Sequence, residues 1–297
     1  MTTHSFSRKI SIASADRRST TRAAGFFREA GNVCQSQRCC HSGPTRVLPL
    51  FILSLFAAAV FADGESPSRL PYWGYSGPEK WPSFPIPDNQ CGGKKQSPIN
   101  LPKPSPTPGP AIRVEYVAGN ATIRNTGHDI EVTPAGNAGK ITIDRKVYTL
   151  VKFHFHVPSE HHIDDAEKPA EIHIVHQRVD GGKTYNAVIG VMLTSGGTYP
   201  ALKPVFANLP EKACTESRPV WINFPALLPK ELTSYYTYGG SLTTPPCTEN
   251  VTWYVLDTTR EIEALDLFKL RAFGENARPI QNNPTPLEVT YVVPLPK

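Results

Sequence analysis

Between Ile112 and Thr194 apolar and β-branched residues recur at alternate positions in short runs cut off by breakers, the period of half-buried strands. The runs predict strands over Ile112–Val117, Ala121–Arg124, Ile130–Thr133, Lys140–Ile143, Lys146–His156, Ala170–Arg178 and Asn186–Thr194. Gly119-Asn120, Gly136-Asn137 and Asp180-Gly181-Gly182 supply the turns between them. One stretch has a convincing helical period: Thr258-x-x-Glu261 reads as a capping box, followed by Ile262, Leu265, Phe268 and Leu270 and stopped near Gly274. A shorter helix is predicted over Leu202–Leu209, whereas Lys103–Pro110 is proline-rich with no strand signal. There is no internal repeat. Many antiparallel strands with few helices predict one mainly β (α+β) domain.

The N-terminal part follows neither period. Residues 1–46 are basic and rich in Ser, Thr and Arg, and disorder is expected there. Residues 47–62 are a continuous apolar run ending Ala59-Val60-Phe61-Ala62. That length is short for a spanning helix and suits a signal-peptide core cleaved after Ala62. An uncleaved signal-anchor is the second reading, and the only one that ties the chain to a membrane; a transit peptide is the third. Residues 63–71 read as a linker and 72–297 as the globular part. All three readings can place the domain outside the cytosol.

The N-terminal segment also distorts the charge. The 297 residues carry a formal +5, but residues 1–62 hold eight Lys or Arg against Asp16 and Glu29. Without that +6 the remainder has 23 basic and 24 acidic side chains, a net of −1, and gives no reason to expect nucleic-acid binding.

The chemistry concentrates in two of the predicted strands. In Lys152-Phe153-His154-Phe155-His156, His154 and His156 point to one face, because side chains two apart share a face. In Ala170-Glu171-Ile172-His173-Ile174-Val175-His176, Glu171, His173 and Val175 share one face and Ile172, Ile174 and His176 the other. If the strands pair, three imidazoles converge. Three neutral imidazoles with a fourth position open is a catalytic zinc set. Phase alone admits either His173 or His176 as the third.

The run Phe153-His154-Phe155-His156-Val157-Pro158-Ser159-Glu160-His161, then Glu171-Ile172-His173, then Ser241-Leu242-Thr243-Thr244-Pro245-Pro246-Cys247 resembles the α-class carbonic anhydrases. Gln96-Ser97-Pro98-Ile99-Asn100, Asn125-Thr126-Gly127-His128 and Asn276-Ala277-Arg278-Pro279 add to it, in the family's order, from about Tyr72 to the C-terminus. The resemblance implies a large central twisted sheet with peripheral helices, and Zn²⁺ on His154, His156 and His173, with His176 structural. It implies hydration of carbon dioxide to bicarbonate by zinc-bound hydroxide, oriented by Thr243 and Glu160, with His128 as proton shuttle. Glu171 and the Asn276 carbonyl are then the acceptors for His173 and His156. Val175, Val188, Leu242, Val251 and Trp253 match the apolar substrate wall, and Asn186 makes its rim more polar than the family's.

At Lys152 the chain departs from its relatives, which commonly carry a glutamine there to accept a hydrogen bond from the first ligand; an ammonium cannot accept. Secreted members often join the positions of Cys91 and Cys247, which leaves Cys214 odd, either buried or pairing between chains. Of the sequons, Asn120 falls in an expected turn and Asn250 beside the pocket, where it is expected to be covered. A non-catalytic relative acting as a binding or matrix protein is the alternative function; such relatives lose zinc histidines.

Overall fold

Each run of alternating residues between Ile112 and Thr194 pairs into a strand, because each has one row of side chains to bury. The computed structural model describes residues 73–294, all within one compact unit. The strands are Ile112–Tyr116, Gly119–Asn125, Ile130–Pro134, Gly139–Ile143, Lys146–His156, Ala170–Asp180 and Lys183–Ser195. The last two outrun their predicted ends to meet at the Asp180-Gly181-Gly182 turn. The strands that were not predicted include Tyr235–Ser241, Glu249–Leu256 and Thr290–Pro294.

Fifteen of the described strands form one sheet. Its central order is Gly119–Asn125, Ile130–Pro134, Lys146–His156, Ala170–Asp180, Lys183–Ser195, Glu249–Leu256, Tyr235–Ser241, Thr290–Pro294. Neighbours are antiparallel except Lys183–Ser195 with Glu249–Leu256. Ala170 to His176 are buried without a break, so the middle of the sheet is covered on both faces. One face carries the main core, including Phe153, Phe155, Ile172, Ile174 and Ile189. The other carries a smaller cluster that includes Val175, Val188, Val251 and Trp253. The candidate ligands lie on that second face.

Several local expectations are corrected by pairing between distant segments. The capping box does not form: Arg260–Ile262 is a strand parallel to Leu193–Ser195, so its backbone groups enter the sheet. The Thr258 hydroxyl bonds the Asp257 carboxylate instead. The helix starts later, at Ala264–Arg271, and its docking buries Asp266, Leu267 and Leu270 while leaving Leu265 60% and Phe268 69% exposed. Its end beside Gly274, at φ +94°, is as predicted. Leu202–Leu209 is a shorter helix than expected, a 3₁₀ turn Pro200–Leu202 running into Lys203–Phe206. Within Lys103–Pro110, Thr107–Gly109 forms an edge strand parallel to Thr290–Pro294. Asn120 lies on a strand rather than in a turn, and Asn250 is exposed rather than covered.

The readings of residues 1–46, 47–62 and 63–71 fall outside the described residues. No described helix is long and apolar enough to cross a membrane.

Candidate metal centre

The register of the two central strands brings the histidines together. Lys146–His156 runs antiparallel to Ala170–Asp180, with His154 opposite His173 and His156 opposite Glu171. A bulge between Leu150 and Lys152 shifts the phase. Leu150 consequently enters the core opposite His176, whereas Lys152, His154 and His156 face the other way. His176 is thereby separated from the cluster. It is fully buried, with Nε2 2.6 Å from the Tyr116 hydroxyl and Nδ1 3.2 Å from the Ala187 carbonyl.

The rings of His154, His156 and His173 stand 4.9, 5.3 and 4.4 Å apart, centroid to centroid. One nitrogen from each lies within 4.8 Å of the others. His156 donates from Nδ1 to the Asn276 carbonyl at 2.8 Å, and its Nε2 is buried with no protein partner. An orphaned buried imidazole nitrogen costs free energy unless something binds it. Burial lowers the pKa of all three rings, that of His156 to about 3, so they are neutral, as metal ligands must be. A second grouping, His161 with Glu171 and His173, fits a metal less well, because its donors and acceptors are already engaged.

Glu171 anchors that second grouping. Its Oε2 accepts the backbone N–H groups of Glu160 and His161, each at 2.9 Å. Its Oε1 is 2.8 Å from His161 Nδ1 and 2.9 Å from His173 Nε2, the latter contact too poorly aligned for a good hydrogen bond. Burial alone would raise the Glu171 pKa, but the two imidazoles outweigh it and hold the carboxyl well below its usual range. A Cβ on Gly190, across from His173, would stand 2.8 Å from Glu171 Oε1, so glycine makes room for the carboxylate.

Glu160 is buried against the same cluster, its Oε2 3.7 Å from His173 Nδ1. Oε1 accepts the Arg278 N–H at 2.8 Å. Burial raises its pKa well above the carboxylate range; hydrogen bonding from Thr243 and Arg278 opposes that rise. The Thr243 bond is imperfect, since Oε2 has no partner in good geometry.

His128 sits on the loop after Gly119–Asn125, stacked on Trp73 with ring centroids 3.9 Å apart and planes 9° apart. Burial lowers its pKa. The Asn276 amide reaches the His128 and Phe155 carbonyls at 3.0 and 2.9 Å, tying the loop to a ligand strand. His128 and Glu160 both line a cleft of about 820 Å³.

A profile of the eukaryotic-type carbonic anhydrases matches residues 76–289. The chain belongs to that family. It is 36% identical over 254 residues to a carbonic anhydrase of Neisseria gonorrhoeae, covering 84% of this chain and 98% of that one. The structure of an α-carbonic anhydrase from Thermovibrio ammonificans, in complex with sulfanilamide, superposes with a TM-score of 0.67 at 35% identity, over 74% of this chain and 98% of that one. A structure of dioscorin complexed with ascorbate is also similar, with a TM-score of 0.65 at 30% identity, over 74% and 95% of the two chains. The curated relatives named carbonic anhydrase establish this chain as an enzyme of the same activity.

In this carbonic anhydrase the residues expected to form an apolar wall lie together. Val188 stands opposite both Val175 and Trp253 on flanking strands, Asn186 opposite Val251, and Leu242 packs on the same cluster. The Trp253 ring lies 4.7 Å from that of His173. Cys91 and Cys247 form a disulfide under Trp81. Cys214, expected to be odd, is itself disulfide-bonded.

Sequence reasoning missed the outer polar network. His161 Nε2 is 2.7 Å from the Tyr238 hydroxyl, which donates to Ser97 Oγ at 2.9 Å. Arg278 donates to Gln96 Oε1, the Ser97 carbonyl and the Cys91 carbonyl. Gln96, Ser97, Ser159, Glu160 and His161 are all buried, although they stand in polar stretches of the sequence. Their contacts span about half the chain and leave no local pattern.

Proposed function

We propose that this carbonic anhydrase carries out the reversible hydration of carbon dioxide on a zinc ion held by His154, His156 and His173. The observation that carries the reading is the convergence of three neutral imidazoles, His156 and His173 buried and His154 partly so, with His156 Nε2 orphaned toward the centre. Zinc in such a set lowers the pKa of bound water to about 7 and so supplies a nucleophile at neutral pH.

The protein's own residues do the rest. Thr243 donates its hydroxyl hydrogen bond to Glu160, which leaves the threonine oxygen to accept one and would fix the orientation of the attacking oxygen. That polarity needs Glu160 ionised, and a dication on the adjacent rings favours the charged form against burial. Asn276 and Glu171 fix the His156 and His173 rings. Val175, Val188, Leu242, Val251 and Trp253 exclude water and receive an apolar substrate. His128 takes the released proton at an imidazole nitrogen and passes it to the cleft, a relay open to histidine, with burial lowering the pKa of this one.

A non-catalytic binding role is the second reading, prompted by the likeness to a dioscorin–ascorbate complex. The complete histidine set speaks against it. Export from the cytosol belongs to the proposal and is supported by the disulfide between Cys91 and Cys247.

Stopped-flow hydration of carbon dioxide by the purified protein, before and after zinc removal with a chelator, tests the reading. Activity should vanish on chelation and return on adding zinc. Activity that survives complete loss of metal refutes it.

A further inference from the structure

The three proposed ligands differ in what holds their rings. His156 has the Asn276 carbonyl and His173 has Glu171 beside its outer nitrogen. His154 Nδ1 is buried and has no protein partner. Nδ1 is the ring nitrogen next to the backbone; Nε2, at the tip, is the one that reaches away from the strand toward the other two rings. The side chain two positions back on the same face is Lys152, which can donate to Nδ1 but cannot accept from it.

Lys152 nevertheless does not stand alone. Its ammonium pairs with Glu131 Oε2. Glu131 lies on Ile130–Pro134, directly opposite His154 in the strand pairing. Its Oε1 accepts the Thr133 hydroxyl at 3.1 Å, so both carboxylate oxygens are committed. An ion pair as accessible as this one contributes little to folding. Its position matters more, because an uncompensated ammonium beside the centre opposes any cation placed there.

We propose that Glu131 is a positioning residue for the metal centre, holding the Lys152 ammonium off the His154 ring and cancelling its charge. The inference rests on the zinc reading above. It makes Glu131 and Lys152 one coupled unit that sets metal affinity at the least constrained of the three ligands.

The test is zinc affinity by competition with a chromophoric chelator, for wild type, Glu131→Gln, Lys152→Gln and the double variant. Removing an outer partner of a metal ligand typically costs about 10–100-fold in affinity. Glu131→Gln should weaken zinc by about 10-fold, the low end of that range. Lys152→Gln should tighten it, because the amide oxygen accepts the Nδ1 proton and the charge is gone. In the Lys152→Gln background, Glu131→Gln should lose most of its effect, since no ammonium remains to restrain. Melting curves of the metal-free proteins should coincide, which separates the effect from misfolding. An unchanged affinity in Glu131→Gln, an unchanged or weaker one in Lys152→Gln, or strictly additive effects would overturn the proposal. A wild type that binds no zinc would instead bring down the reading beneath it.

Discussion

Removing the Cys91–Cys247 bridge by Cys91→Ala with Cys247→Ala should cost much of the domain's stability. The two residues are 156 positions apart, and the bond joins the segment before Gln96 to the loop that carries Thr243. In the chain-entropy account, closing a loop of that length restricts the unfolded chain by about 5 kcal/mol at 25 °C. Native disulfides give about 2–5 kcal/mol in practice, against a total domain stability of about 5–15 kcal/mol. For a domain of this size each kcal/mol moves the melting temperature by about 2–4 °C. A loss of about 4 kcal/mol therefore lowers it by roughly 8–16 °C. The double variant is preferable to reducing agent, because reduction would also open the Cys214 disulfide. Urea and thermal unfolding of variant and wild type, both zinc-loaded, read the difference. Zinc content should be unchanged, since neither cysteine touches a ligand. Unfolding midpoints within experimental error of wild type would refute the argument that this bridge restrains the unfolded chain.

Thr243→Ala should keep its zinc yet slow carbon dioxide hydration by about 10²–10³, the usual effect of losing one positioned hydrogen-bonding group; wild-type turnover would remove the role given to Thr243 and Glu160. His128→Ala should lower the maximal rate most in dilute buffer and recover with added imidazole; a defect equal at every buffer concentration would show that another group carries the proton. The metal-free protein should lose stability in acid. His156 and His176 are pushed down to about 3 by burial, and His154 and His173 are lowered too, whereas the unfolded residues titrate near 6.5. A depressed folded pKa gives stability that is present above 6.5 and lost as pH falls below it, at up to about 1.4 kcal/mol per pH unit for each ring. Urea midpoints at pH 7.5 and 5.5 should show the drop; a flat profile would mean that these rings are not held neutral.

The readable and unreadable parts of this chain divide by the range of the interaction. From Gly119 to Thr194 each strand has a partner adjacent in sequence, and Ile112–Tyr116 pairs no further off than Gly139–Ile143 within the same stretch, so alternation and turn residues sufficed to find them. Thr107–Gly109 pairs with Thr290–Pro294, far along the chain, and its prolines hid it. The Thr258 box failed because a sheet edge at Leu193–Ser195 offered the backbone more than a local cap could. Within the site, His154 and His156 share a face by period-two phase alone. The choice between His173 and His176 was open to that argument, because the bulge before Lys152 fixes which face meets which and has no sequence signature. Lys152 was visible as a departure from the family; its partner Glu131, on a neighbouring strand, was not.

The central claim is that His154, His156 and His173, and not His176, hold one zinc ion. Zinc stoichiometry by elemental analysis of purified wild type and the four single alanine variants tests it most directly. The account predicts one zinc per chain in wild type and in His176→Ala, and a large loss in His154→Ala, His156→Ala and His173→Ala. Zinc retained by His173→Ala and lost by His176→Ala would contradict it.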